Sequence, residues 1–349
     1  MVLLLGCTFL CLTASVWCGD TQQVPYGLSD FTGSPPTFDC PKECFCPPSF
    51  PTALYCDNKN LDEIPLIPSR IRYLYINNNQ IETVSEKAFS EASELKWINL
   101  SRNKITNKGI GKNIFKNLKH LLYLYMEENQ LEEVPGPLPE SLEQLRLAKN
   151  KISKIPEGIF DTLENLTLLD LHNNKLDDNS ISANTLKGLK NLLQLNMAIN
   201  TLKKMPPGLP TNTVQLFLDN NSIDAIPEDY FHSVPRISFI RLNGNKLSDK
   251  GVPQNIFNIS SILDLQLSHN HFTEVPQIHL NLEHLHLHNN QILNVNGTMI
   301  CPLPIELVHD NDFESGPRLR YLRLDGNEIK PPIPMDLIMC FRHLRAVII

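Results

Sequence analysis

Three residue types in this chain have the spacing to do chemistry: cysteine, histidine and asparagine. Cys40, Cys44, Cys46 and Cys56 follow one another as C-x3-C-x-C-x9-C, and Cys301 and Cys340 form a distant second set. Such thiols either hold zinc or cross-link as disulfides. No histidine lies near the first four, and an oxidising compartment favours disulfides. Four cysteines allow three pairings, and spacing alone does not choose among them. A Cys301–Cys340 bridge would close a loop of about forty residues, worth roughly 4 kcal/mol as lost chain entropy. His284, His286 and His288 alternate, so a strand would project all three from one face, a spacing that could seat a transition metal. Nothing nearby supplies a fourth ligand or supporting groups, and we expect an ordinary strand with no metal and no cofactor.

Asparagine offers a different chemistry. Five Asn-x-Ser/Thr sequons, at Asn99, Asn165, Asn220, Asn258 and Asn296, are glycan acceptors if the chain is secreted. Asn99 lies between Ile98 and Leu100 and should project from a crowded sheet, so it is the least accessible. Catalysis has no foothold. There is no G-x-S-x-G, H-E-x-x-H or phosphate loop, and candidate triad residues are scattered. We therefore do not expect an enzyme. A formal charge of −7 without a basic cluster argues against nucleic acid as a partner.

The elements that position these residues come from one recurring stretch, Leu-x-x-Leu-x-Leu-x-x-Asn-x-Leu. Its fixed Asn falls at Asn79, Asn103, Asn129, Asn150, Asn174, Asn200, Asn221, Asn245, Asn270, Asn290 and Asn327. Across these eleven copies, 43 of the 44 apolar ladder positions are Leu, Ile, Met or Phe, with Thr213 the exception. This is the leucine-rich repeat pattern. Each copy alternates inward and outward like a strand, and one strand cannot bury its apolar edge alone. Burying each large aliphatic side chain stabilises by about 1.5–3 kcal/mol before entropy is subtracted, so stacking dominates. The Asn amide both donates and accepts, and should satisfy inward-pointing backbone groups of the turn. The expected fold is an α/β-type leucine-rich repeat solenoid. A curved parallel β-sheet forms its concave face, extended or short helical segments its convex face, and disulfides cap both ends.

Successive Asn steps are 24, 26, 21, 24, 26, 21, 24, 25, 20 and 37 residues, nearly a three-beat rhythm closed by an enlarged repeat. Longer copies carry Phe89, Phe115, Phe160, Leu186 or Phe231 in the return segment, expected as a second apolar spine. Met1 to about Cys18 is apolar and uncharged, and reads as a secretory signal. No other apolar run approaches membrane-spanning length, so no membrane anchor is expected. The domain reading is 1–18 signal, 19–39 flexible extension, 40–70 cysteine-rich cap, 71–300 repeats and 301–349 C-terminal cap with the enlarged repeat.

The four-cysteine spacing, the three-beat rhythm and the enlarged penultimate repeat together resemble a class II small leucine-rich proteoglycan. Two stretches carry the likeness: Cys40-Pro-Lys-Glu-Cys-Phe-Cys-Pro-Pro-Ser-Phe-Pro-Thr-Ala-Leu-Tyr-Cys56 and Leu322-Arg-Leu-Asp-Gly-Asn-Glu-Ile-Lys-Pro-Pro-Ile-Pro334. It runs from about residue 40 to the C-terminus. The resemblance implies pairing of first cysteine with third and second with fourth, hence Cys40–Cys46 and Cys44–Cys56. It also implies a secreted extracellular-matrix protein that binds fibrillar collagen. Covalently attached keratan sulfate would hold the fibrils apart, as corneal transparency requires. Members of that family often carry a sequon just ahead of the second repeat, whereas this chain reads Ser90-Glu91-Ala92-Ser93.

Outward strand positions are the candidate partner contacts. They are Tyr73, Tyr75, Trp97, Tyr123 and Tyr125 near the N-terminal end, then Arg146, Asp170, His172, Phe217, Asp219, Phe239, Arg241 and Arg323. Exposed aromatics on a strand face are common interface anchors, and an open face with both charges suits an extended polymer. The same face could instead pair with a second copy as a homodimer. A functional rival from another class is a soluble decoy or co-receptor for a growth factor or innate-immune ligand.

Overall fold

The computed structural model describes residues 39–295, 297–302, 316–330 and 332–349. The signal and almost all of the extension read from the sequence, together with Asn296, lie outside the described residues. Thirteen three-residue strands run in chain order from β1 (Ala53–Tyr55) to β13 (Ala346–Ile348) and form one parallel sheet whose spatial order is the chain order. Each strand hydrogen-bonds to the next in register, so Leu54, Leu74, Ile98, Leu124, Leu145 and Leu169 form one continuous inner row. All six are fully buried. Of the repeat's ladder positions, all are buried except Ile329, which packs partly buried against the same core. Thr213 is 0% exposed, and its hydroxyl donates to the Pro210 carbonyl at 2.7 Å, so the one polar substitute carries its own partner.

The fixed Asn side chains form the polar seam of the solenoid. Asn103 Oδ1 accepts the Ile81 N–H at 3.1 Å, while its Nδ2 donates to the Ile76 and Leu100 carbonyls at 3.1 and 3.0 Å. Asn129 repeats this with Ile105, Leu100 and Met126. Each amide thus joins its own coil to the one before. At the N-terminal end Asn79 reaches into the cap, accepting from Lys59 and Leu61 and donating to the Cys56 carbonyl. Asn327 carries the seam across the enlarged repeat, accepting from Ile292 at 3.0 Å and donating to Leu287 at 2.9 Å.

Aiming that amide inward requires a sharp turn just before it. The preceding residue is in the left-handed region in every coil: Asn78, Arg102, Glu128, Lys149, Asn173, Ile199, Asn220, Gly244, His269, Asn289 and Gly326. Asparagine and glycine tolerate this backbone, whereas a β-branched residue is strained there. Ile199 at φ +56° is the strained member of the row.

The three-beat rhythm has a structural counterpart. Asn107, Asp178 and Asp249 each lie four residues after the fixed Asn of a long coil, and each braces the short coil that follows. Asn107 Oδ1 accepts from the Glu132 and Glu133 backbone at 2.8 and 3.2 Å. Asp178 accepts from Lys203 and Lys204, and Asp249 from Thr273 and Glu274. The short coil has fewer convex residues with which to satisfy its own amides, and the long neighbour supplies the acceptor. On the convex side Phe89, Phe115, Phe160, Leu186 and Phe231 are buried, and Phe257 extends the row. Regular convex structure is sparse: among the described residues before Gly297 it comprises one helical turn, α1 (Ile114–Asn117), and a 3-10 turn at Asn107–Gly109.

Both ends are closed covalently. The disulfides are Cys40–Cys46, Cys44–Cys56 and Cys301–Cys340. Phe45 exchanges two backbone hydrogen bonds with Tyr55 in antiparallel fashion, so the outer edge of β1 is covered. At the other end Cys301 directly follows α2 (Gly297–Ile300), and its partner ends α3 (Met335–Cys340). A Cβ on Gly297 would come within 2.4 Å of the Asp336 backbone, a closeness only glycine permits. Strands β1 and β13 add coils beyond the eleven that the repeat pattern marks.

Replacing Ile199 by glycine should raise stability by about 1 kcal/mol, because relief of a left-handed β-branched backbone exceeds the added freedom of the unfolded chain. Urea unfolding read by far-UV circular dichroism checks this. A lower midpoint would show that Ile199 is not under strain.

Candidate functional site

Parallel strands lie about 4.8 Å apart, so aromatic residues at the same register on successive strands are held at stacking distance. The N-terminal end of the concave face uses this over β1, β2 (Tyr73–Tyr75), β3 (Trp97–Asn99) and β4 (Tyr123–Tyr125). Tyr55 and Tyr75 stack nearly parallel with centroids 4.8 Å apart. Trp97 sits 6.4 Å from Tyr75, 4.9 Å from Tyr123 and 4.7 Å, edge-on, from Tyr125. Phe50 of the cap packs on Tyr73 at 5.2 Å. The row ends where the Arg146 guanidinium lies 4.9 Å over the Tyr125 ring.

Tyr55 and Tyr75 stack face to face, whereas Trp97 meets its neighbours tilted or edge-on. Tyr123 donates to Glu143 at 3.1 Å and Tyr125 to Gln144 at 2.9 Å. Burial raises the Tyr75, Tyr123 and Tyr125 phenols above their usual range, so all three stay neutral. Among the described residues the Trp97 indole N–H is buried without a hydrogen-bond partner. Because the rings are already ordered, a partner would meet anchors with little rotamer entropy left to lose. Tyr73, Tyr75, Trp97, Tyr123 and Tyr125 are therefore brought together in one patch. The sequence reading missed Tyr55 and Phe50, which join it; the apolar alternation Ala53-Leu54-Tyr55 was the available signal.

The middle of the face is polar and internally paired. On β6 (Leu168–Asp170) the Asp170 carboxylate holds the His172 ring at 2.8 Å, and this hydrogen bond raises the imidazole above its ordinary value. Glu127 accepts from the Ser101 hydroxyl, and burial pushes its carboxyl up. Phe217, at the end of β8 (Gln215–Phe217), lies under the Arg241 guanidinium at 5.2 Å. Arg241 in turn meets Asp219 at 3.1 Å. Asp219 differs from the expected outward contact. It is 8% exposed and accepts both the backbone and side-chain N–H groups of Asn243, at 2.9 and 2.7 Å. Its place just past the strand, where the chain turns inward, explains this. Asp219 therefore positions Arg241 and the next coil more than it meets a partner. Phe239, on the neighbouring β9 (Phe239–Arg241), is half-buried beside this group.

Toward the C-terminal end the face becomes rich in histidine. The His284 ring lies 3.4 Å from Asp264, His286 packs 5.2 Å from the Tyr321 ring, and His269 packs 5.3 Å from His288. Arg323 is paired with Asp325 at 2.7 Å. Among the described residues, no three His, Cys, Asp or Glu side chains group closely enough to hold a metal ion.

The sequons fall on different surfaces. Asn165 and Asn258 are exposed in convex segments, and Asn165 donates to the Glu140 carbonyl at 3.2 Å. Asn220 is exposed at a left-handed turn position. Asn99 ends β3 on the concave face, half-buried, with its Oδ1 accepting the Ser101 N–H at 3.1 Å.

Comparison with known proteins gives the same architecture. A family model of the leucine rich repeat matches residues 69–131 and 140–202, and one of the leucine rich repeat N-terminal domain matches residues 39–68. Keratocan from Coturnix japonica is 61% identical over 341 residues, which is 97% of each chain. Keratocan from Bos taurus is 62% identical over 97% of this chain and 96% of its own. Prolargin from Mus musculus is 54% identical over 89% of this chain and 82% of its own. Among solved structures, a chain of the octameric complex of Latrophilin 3, Unc5D and FLRT2 matches with a TM-score of 0.68. It covers 88% of this chain and 83% of its own at 23% identity, a likeness of fold alone.

The Asp170–His172 contact gives a titration prediction. His172 should titrate above 6.5 in an NMR pH series, and Asp170→Asn should bring it down to that value or below. The stabilisation from this pair is complete below pH 6.5 and fades as pH rises through the folded value. An imidazole indifferent to Asp170→Asn would contradict the pairing.

Proposed function

The chain belongs to the keratocan family, small leucine-rich proteoglycans of the extracellular matrix, and on that premise we propose a collagen-binding, keratan sulfate-bearing core protein. In this reading the chain is secreted behind the signal at its N-terminus and acts as a scaffold rather than a catalyst. Its concave face engages fibrillar collagen. Glycans on Asn165, Asn220, Asn258 and Asn296 carry keratan sulfate, with Asn99 the least accessible site. The sulfated chains add negative charge and hydration between neighbouring fibrils, which regulates their spacing and diameter as a transparent cornea needs.

The observation that carries the reading is the ring stack from Tyr55 to Tyr125, closed by Arg146, on an open parallel sheet. A proline-rich rod has little conformational entropy to lose and packs well against aromatic surfaces. A sheet of thirteen strands offers such a rod many successive contacts. Arg146, Asp170 and Arg241 add charge of both signs for register along the rod. The same surface is open to pairing with a second copy, in which case dimer and fibril compete for it.

Co-sedimentation of the secreted protein with reconstituted collagen fibrils tests the proposal. Wild-type protein should pellet with fibrils, and Tyr75→Ala combined with Tyr125→Ala should weaken retention at least about tenfold, as expected when central aromatic anchors are removed. An unchanged thermal midpoint separates this from misfolding. Keratanase digestion of the tissue protein should lower its mass. If fibrils never retain the wild-type core and keratanase leaves the mass unchanged, the proposal fails.

A further inference from the structure

Histidine is unevenly placed in this chain. Of eleven, six fall between residues 269 and 288. The register of β10 (Asp264–Gln266), β11 (His284–His286) and β12 (Tyr321–Arg323) puts Asp264, His284 and Tyr321 in one row and Gln266, His286 and Arg323 in the next. His288 continues the projecting series beyond β11, with its ring 6.4 Å from His286 and 5.3 Å from His269. Arg241 approaches from β9. We propose that this end of the concave face, formed by His269, His284, His286, His288, Arg241 and Arg323, is a proton-gated binding surface for a sulfated glycan.

The charges that face the imidazoles are few and come from both signs. Asp264 lies beside His284, Asp325 holds Arg323, and Asp219 holds Arg241. With neutral imidazoles, two arginines are outnumbered by three aspartates, and the surface has no excess positive charge. Protonation of His286 and His288 alone turns that balance positive. Burial holds His286 and His288 below their ordinary value of 6.5, and the positive charge of Arg323 pushes the same way. The reversal therefore belongs to mildly acidic conditions rather than to neutral pH.

The chemistry of the surface selects the ligand class. Imidazolium and guanidinium N–H groups are charge-assisted donors suited to oxyanions, and guanidinium binds them bidentately. The Tyr321 and His286 rings, 5.2 Å apart, add apolar area against which a sugar ring can rest. A peptide cannot add to β11 as a strand, because β10 and β12 already flank it. A sulfate ester keeps its charge throughout the range in which imidazoles gain theirs. An acidic peptide begins to lose carboxylate charge as the pH falls toward about 4. This inference stands whether or not collagen binds the aromatic end.

The test uses the full secreted protein, stripped of its N-glycans, over an immobilised heparin octasaccharide and its fully desulfated counterpart at fixed ionic strength. Binding to the sulfated probe should strengthen at least about tenfold between neutral pH and about pH 5.5, and the desulfated probe should show no such gain. Replacing His269, His286 and His288 by glutamine should remove most of the gain. Arg323→Gln, a milder change, should weaken binding at about pH 5.5 with an unchanged thermal midpoint. The exposed convex pair His120→Gln and His232→Gln should leave the gain intact. Equal affinity at both pH values overturns the proposal, as does a gain that survives the triple variant or disappears in the convex pair. Equal binding of the desulfated probe also overturns it.

Discussion

A single buried amide per coil is the constraint on which this structure depends. The solenoid interior is apolar, yet each coil must turn out of its strand and carry backbone N–H and C=O groups inward. Unpaired, each such group would cost about 1–3 kcal/mol. The fixed asparagine answers with one acceptor and two donors, shared between two coils. Serine could not span both coils, and aspartate would bring a buried charge that lacks donors. The aliphatic rows give the solenoid its bulk stability, but the amide sets where each coil sits on the last.

Further features follow from that placement. The left-handed residue ahead of each amide aims it inward, and its own N–H reaches the next coil, as Arg102 does to the Glu127 carbonyl at 2.8 Å. Coils of unequal length can share the seam only if something satisfies the shorter coil's amides, which is the work of Asn107, Asp178 and Asp249. A stack of this kind has two exposed ends, and small cross-linked caps cover them. The outward face inherits the same regularity. Residues at one register stand a strand spacing apart, so composition alone divides the sheet into an aromatic end, a paired polar middle and a histidine end.

Much of this was legible in the residues. Eleven asparagines in phase fixed the coil count to within the two end strands. Those were hidden because Ala53-Leu54-Tyr55 and Ala346-Val347-Ile348 lack the asparagine that marks the others. The aromatic patch could be read from strand alternation at Tyr73, Tyr75, Trp97, Tyr123 and Tyr125. Alternation says nothing about what neighbours do, so the mutual stacking, and the burial of Asp219 behind Arg241, were not readable. The braces were obscured for a similar reason. An Asn or Asp four residues past the seam looks like ordinary turn chemistry until its partner, some 25 residues later, is seen beside it.

Native-state hydrogen exchange tests the role of the seam most directly. The amides of Ile105, Ile152, Leu176 and Ile223 donate to asparagine side chains rather than to other backbone. If the seam holds the coils together, these four should exchange only through global unfolding, as slowly as the strand-centre amides of Leu169 and Leu195. Exchange by local fraying, far faster than the strands, would contradict the account and leave apolar stacking as the sole support of the fold.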